Sequence, residues 1–113
     1  MRVNDLEHMR PELLQVEARD AATETVITLD GELDMSSTKW FGAFLGAVLE
    51  KHPTRIAIDA RRLTYMDSSG LRSFLVARAS ALEAGVGFRI DNPPPQLRRL
   101  VERMGLRPLL LDS

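Results

Sequence analysis

The spacing of apolar residues along the chain changes period several times, and each change marks an element. In LLQVEA (13–18), Leu14, Val16 and Ala18 alternate with polar positions, the two-residue period of a strand with one buried face. RDAAT (19–23) is small and polar and reads as a turn. ETVITL (24–29) is rich in β-branched residues and reads as a second strand, so the short link predicts an antiparallel hairpin. DGELD (30–34) is expected to break that strand at Gly31. Over 35–52 the period becomes helical, with Trp40, Phe41, Phe44, Leu45, Val48 and Leu49 on one face and Pro53 as the stop. Ser36 or Ser37 supplies the N-cap, because a short hydroxyl accepts a bond from an otherwise unpaired backbone N–H. Gly42 and Gly46 lie inside this helix at a cost of about 1 kcal/mol each relative to alanine, and close packing is their expected purpose.

The second half repeats the alternation of strand and helix. RIAIDA (55–60) is a third strand, and RRLTYM (61–66) leads from it to MDSSGL (66–71). From Ser69 the pattern is helical, with Leu71, Phe74, Leu75, Ala79 and Leu82 sharing a face and Gly85 as the stop. VGFRID (86–91) alternates as a fourth strand, and NPPP (92–95) ends it. Leu97, Leu100, Val101 and Met104 define a third helix stopped by Gly105, and RPLLLD (107–112) reads as a short added edge strand. The order β-β-α-β-α-β-α(-β) predicts an α/β fold. Its mixed sheet begins with an antiparallel hairpin, continues in βαβ units and packs against the helices. A single domain over 12–113 is expected, preceded by a flexible arm over 1–11.

Composition narrows the function more than the fold. The 113 residues fit one domain, and 44% hydrophobic residues are enough for a core. With 15 basic and 16 acidic residues and no basic stripe, nucleic acid is not an expected partner. The absence of cysteine excludes disulfides and thiolate metal sites. His8 and His52 are too far apart in sequence to suggest a metal cluster, and neither G-x-x-x-x-G-K-[ST] nor G-x-G-x-x-G occurs, so no metal or cofactor is expected. No apolar run reaches the length of a membrane span, and the first twelve residues are too charged for a secretory signal; the expectation is a cytoplasmic protein without a membrane partner.

The remaining candidate for chemistry is MDSSGL itself, where Asp67, Ser68, Ser69 and Gly70 stand together at the mouth of a helix. Asp67 or Ser68 is a suitable N-cap, and Gly70 suits close packing. A catalytic serine at a strand-to-helix elbow wants glycine two residues earlier and a base within reach. Here Met66 and Asp67 occupy those earlier positions, and no catalytic residue is assigned. Asp34, Asp59 and Asp67 all lie near strand ends, where carboxylates commonly act as solvated caps. One cap needs one side chain; three adjacent polar residues and a glycine also make a small, accessible surface.

YMDSSGLR (65–72), with DGELD (30–34) and IAIDARRLTYM (56–66) before it, resembles the STAS domain family, and more narrowly its bacterial anti-sigma factor antagonists. The likeness runs from about Leu13 to Leu111 and includes PPPQLRRLVERMGL (93–106), which is similar to the family's last helix. The resemblance implies a non-enzymatic protein that binds an anti-sigma factor serine kinase and so releases a sigma factor. It implies phosphorylation of the serine after the motif aspartate, here Ser68, as the off-switch, and a phosphatase that resets it. By the same resemblance, Asp34, Asp67, Ser68, Ser69, Gly70 and Arg72 fall on the partner-binding surface. A scaffold or regulatory subunit of another signalling or transport complex is the alternative that keeps the fold. The family often carries a small residue, usually glycine, where this chain has Arg72, four residues after Ser68 and therefore one helical turn away.

Overall fold

Alternation decides which side of the sheet is covered. The computed structural model describes residues 12–111. It contains the strands β1 (Leu14–Ala21), β2 (Glu24–Leu33), β3 (Arg55–Met66) and β4 (Gly87–Asp91) and the helices α1 (Thr38–Leu49), α2 (Ser68–Glu83), α3 (Pro95–Arg103) and α4 (Arg107–Leu110). The strands lie in the order β1-β2-β3-β4, with β1 antiparallel to β2 and the other two pairings parallel. Leu14 and Val16, Ile27 and Leu29, Ile56 and Ile58, and Phe88 and Ile90 join one core with the helices. In that core the Phe41 and Phe74 rings of α1 and α2 meet edge to face, 5.9 Å apart. Arg89, between Phe88 and Ile90, forms a double hydrogen bond with Glu24 (2.6 and 2.9 Å) and a third bond with Asp91 (2.9 Å). This is the fold expected from the sequence, apart from its last element.

Several local expectations are corrected. β1 runs through Arg19 and Asp20 to Ala21, so the hairpin loop is only Ala22 and Thr23. β2 does not break at Gly31 but continues to Leu33. The glycine is there because the Leu13 carbonyl closes on the Glu32 N–H at 2.8 Å, and a Cβ on Gly31 would sit 2.0 Å from that oxygen. Its φ of +120° is a second reason. β3 runs on through RRLTYM to Met66, twice taking an extra residue relative to β2, so that Leu33 still pairs with Met66.

Packing explains the other differences. The buried side of α2 is Gly70, Leu71, Phe74, Ala77 and Ala81, whereas Ala79 and Leu82 are exposed. Met104, expected in the apolar face of the third helix, is also exposed. Gly42 and Gly46 do not serve close packing within the chain, since a Cβ at either meets nothing within 4 Å. The segment from Arg107 forms the short helix α4 instead of an edge strand, and Leu110 is its buried anchor. The arm assigned to 1–11 lies outside the described residues.

Candidate functional site

The paired strand ends bring two aspartates to the same edge of the molecule. Leu33 and Met66 are partners in the parallel ladder, and Asp34 and Asp67 are the residues that follow them. After Met66 the chain turns at once into α2. Asp67 is the N-cap: its backbone is extended, and its Oδ1 accepts a bond from the Gly70 N–H at 3.1 Å. Of the two cap candidates it is therefore Asp67 that acts, and the helix starts at Ser68 rather than Ser69.

Capping by Asp67 leaves Ser68 on the first helical position with its side chain exposed. Ser69 is half-buried and faces α1. Gly70 is buried under the end of β2, where a Cβ would lie 2.5 Å from the Leu33 carbonyl oxygen and 3.2 Å from the Met66 Cβ. Only glycine lets α2 start this close to both strands. Two further bonds fix the turn. The Ser73 hydroxyl donates to the Gly70 carbonyl (2.6 Å), and Gln96, at the start of α3, donates to the Met66 carbonyl (2.9 Å).

Asp34 shapes the turn into α1. Its Oδ1 accepts from the Ser36 hydroxyl (2.6 Å) and the Ser36 N–H (2.9 Å). Those two bonds, the hydroxyl first, hold its carboxyl below the usual carboxylate range; partial burial opposes them, and Ser37 adds to the lowering. Ser37 occupies the N-cap position, yet its hydroxyl does not cap α1. It is 1% exposed, accepts from the Asp34 N–H and donates to the Glu32 carbonyl, both at 3.0 Å. The helix is met instead by the Asp34 carbonyl, which accepts from the Ser37 and Thr38 N–H groups. Asp34 thus has a structural duty that leaves the carboxylate at the surface edge.

A groove of about 480 Å³ runs between α1 and α2 from this edge. Met35, Ser69 and Arg72 line it near the turn, with Lys39 and Gly42 on one wall and Val76 on the other. Met35 (78% exposed) and Val76 (57%) are large apolar side chains left in solvent. All six residues singled out in the sequence therefore belong to one neighbourhood, the ends of β2 and β3 and the first turn of α2. Sequence reasoning missed Gln96 and the groove, and it took Ser37 for a side-chain cap. Only the groove carried a local signal: Val76 is an apolar residue out of phase with the buried face of its helix. Asp59 does not join the other aspartates; its carboxylate accepts from the Arg61 N–H and the Asn92 amide. Among the described residues no three His, Cys, Asp or Glu side chains gather as a metal site, and no helix is long and apolar enough to cross a membrane.

Comparison with known proteins agrees with this architecture. Residues 16–111 match the family model "Mlab, STAS domain". The chain belongs to the STAS domain family, and the curated relatives it matches include anti-sigma factor antagonists. The anti-sigma F factor antagonist of Lysinibacillus sphaericus is 34% identical over 90 residues, covering 78% of this chain and 76% of the relative. Among solved structures, the anti-sigma factor antagonist SpoIIAA in its unphosphorylated form is 32% identical, with a TM-score of 0.66, covering 87% of this chain and 85% of that one. The Bacillus cell fate determinant SpoIIAA in its phosphorylated form is 28% identical with a TM-score of 0.67, over 87% and 88% of the two chains.

Proposed function

We propose that this chain is a cytoplasmic anti-sigma factor antagonist. It binds an anti-sigma factor serine kinase through the surface around Asp34, Asp67 and Ser68 and thereby frees a sigma factor. Phosphorylation of Ser68 ends the complex, and a phosphatase restores it. The observation that carries this reading is the exposed Ser68 hydroxyl on the first position of α2, beside two aspartates at paired strand ends. The existence of SpoIIAA in unphosphorylated and phosphorylated forms supports it.

The physics of the site suits such a switch. Ser68 is exposed, so a kinase can reach it without unfolding the domain. Phosphorylation adds about −1.5 to −2 charge at neutral pH. The helix end carries unpaired N–H groups and about half a positive charge, so the domain itself tolerates the modification. A partner surface shaped for a hydroxyl would instead have to bury a dianion, at a cost of several kcal/mol on the order of an unpaired buried ion. A local change of charge then breaks the interface while the fold persists.

The test is phosphopeptide mapping of residues 63–78 after incubation with ATP and the anti-sigma factor serine kinase encoded in the same genome. A single phosphate on Ser68 is expected. Phosphate confined to Ser69, or to a residue outside this segment, would overturn the assignment.

A further inference from the structure

Among the described residues, α2 presents an unpaired cation one turn after the serine. Arg72 is exposed and takes part in none of the ion pairs or side-chain hydrogen bonds of the described residues. Ser68 and Arg72 both lie within the unbroken helix Ser68–Glu83, at i and i+4. Side chains at that spacing share a helix face, and an anion placed N-terminal to a cation is the favourable orientation. The guanidinium fork matches the geometry of phosphate oxygens. We propose that Arg72 closes over phosphorylated Ser68 as a clamp within the helix. Modification then adds a dianion to the partner-facing edge and also withdraws a cation from the groove beside it.

Among the charged groups around Ser68, the helical spacing favours Arg72. Asp67, on the same turn, engages the Gly70 N–H, and Asp34, from the turn before α1, engages Ser36; both oppose a phosphate rather than bind it. Lys39 of α1 lines the same groove as Arg72 and is the rival cation. Gln96 of α3, which holds the Met66 carbonyl, is neutral. In the unmodified protein Arg72 lines the groove at the Ser69 end. The clamp therefore reorients a residue of the partner surface, and it predicts that phosphorylation changes that surface at two places.

This inference deepens the Ser68 reading but its test does not need the kinase. Phosphoserine is placed at position 68 of the full chain during synthesis, with an expanded genetic code. The second ionisation of the phosphate is then followed by phosphorus NMR against pH in the parent, Arg72→Gln, Lys39→Gln and Arg78→Gln proteins. Arg78 lies ten residues from Ser68, about 15 Å along the helix, and serves as the control. The second pKa in the parent should lie about 0.2–0.4 below that of Arg72→Gln, while Arg78→Gln matches the parent. Equal values in the parent and Arg72→Gln overturn the clamp. So does a rise in Lys39→Gln alone, which would assign the phosphate to the other helix. A kinase that leaves Ser68 unmodified would refute the phosphorylation reading without touching this result.

Discussion

Gly70 is where the fold and the site constrain each other most tightly. A Cβ there would lie 2.5 Å from the Leu33 carbonyl oxygen, which is backbone and cannot swing aside. Gly70→Ala should cost about 1–3 kcal/mol by overpacking, read as a lower Tm in thermal unfolding followed by circular dichroism. The dual position of Asp34 gives a sharper experiment, because charge and turn can be separated. Asp34→Asn keeps an oxygen for Ser36, whereas Asp34→Ala loses both bonds. Both variants should lose partner affinity by the 2–5 kcal/mol typical of a truncated interface charge, and only the alanine should lower Tm. An asparagine variant that binds the kinase like the parent would refute the charge contact. Asp67 and Gly70 were readable from sequence, because capping and glycine spacing are local rules. Ser37 was read wrongly, since its hydroxyl oxygen accepts from the Asp34 N–H while its proton goes to the Glu32 carbonyl, partners that no helix-start rule reveals.

Elements were legible where one face was buried and less so where another strand intervened. The hairpin, the parallel units and α1 to α3 follow from periods of 2 and 3.6 residues. The length of β3 does not, because RRLTYM is held in the sheet by two irregularities in pairing with β2 that have no signature of their own. The terminal RPLLL was read as an edge strand, which tolerates Pro108 as well as the first turn of a helix does; the burial of Leu110 that goes with the helix is a tertiary contact a short apolar run does not reveal. Gln96 ties α3 to the end of β3 across 30 residues of sequence, and only the assembled fold reveals it. The glycines of α1 give a prediction at this scale. With nothing within 4 Å of its Cβ position, Gly46→Ala should raise helix stability by about 1 kcal/mol and Tm by about 4 °C. No rise in Tm would mean that Gly46 has a constraint beyond the helix.

At the scale of the molecule, one side of the sheet is stabilised by apolar packing and the other carries ion pairs. Glu24 joins the second strand to the fourth through Arg89, whose hydrogen bonds are the largest reason its carboxyl titrates below the usual range. Arg55 and Arg19 add smaller attractions. A carboxyl with a lowered folded pKa contributes stability above its unfolded value, about 4.3, and loses it as the pH falls through the folded one. Thermal unfolding of Glu24→Gln should therefore vary less steeply than the parent below about pH 5, with the two converging at lower pH. That cross-sheet pair was invisible in the sequence, as its members are 65 residues apart. The proposed switch at one edge needs no rearrangement of a domain held together in this way. The direct measurement is titration calorimetry of the cognate anti-sigma factor kinase against the unmodified chain, Ser68→Ala and the chain carrying phosphoserine at 68. The unmodified protein and Ser68→Ala should bind alike, and the phosphoserine form should bind on the order of a hundredfold more weakly with an unchanged circular dichroism spectrum. Equal affinity of the phosphorylated and unmodified forms would contradict the account.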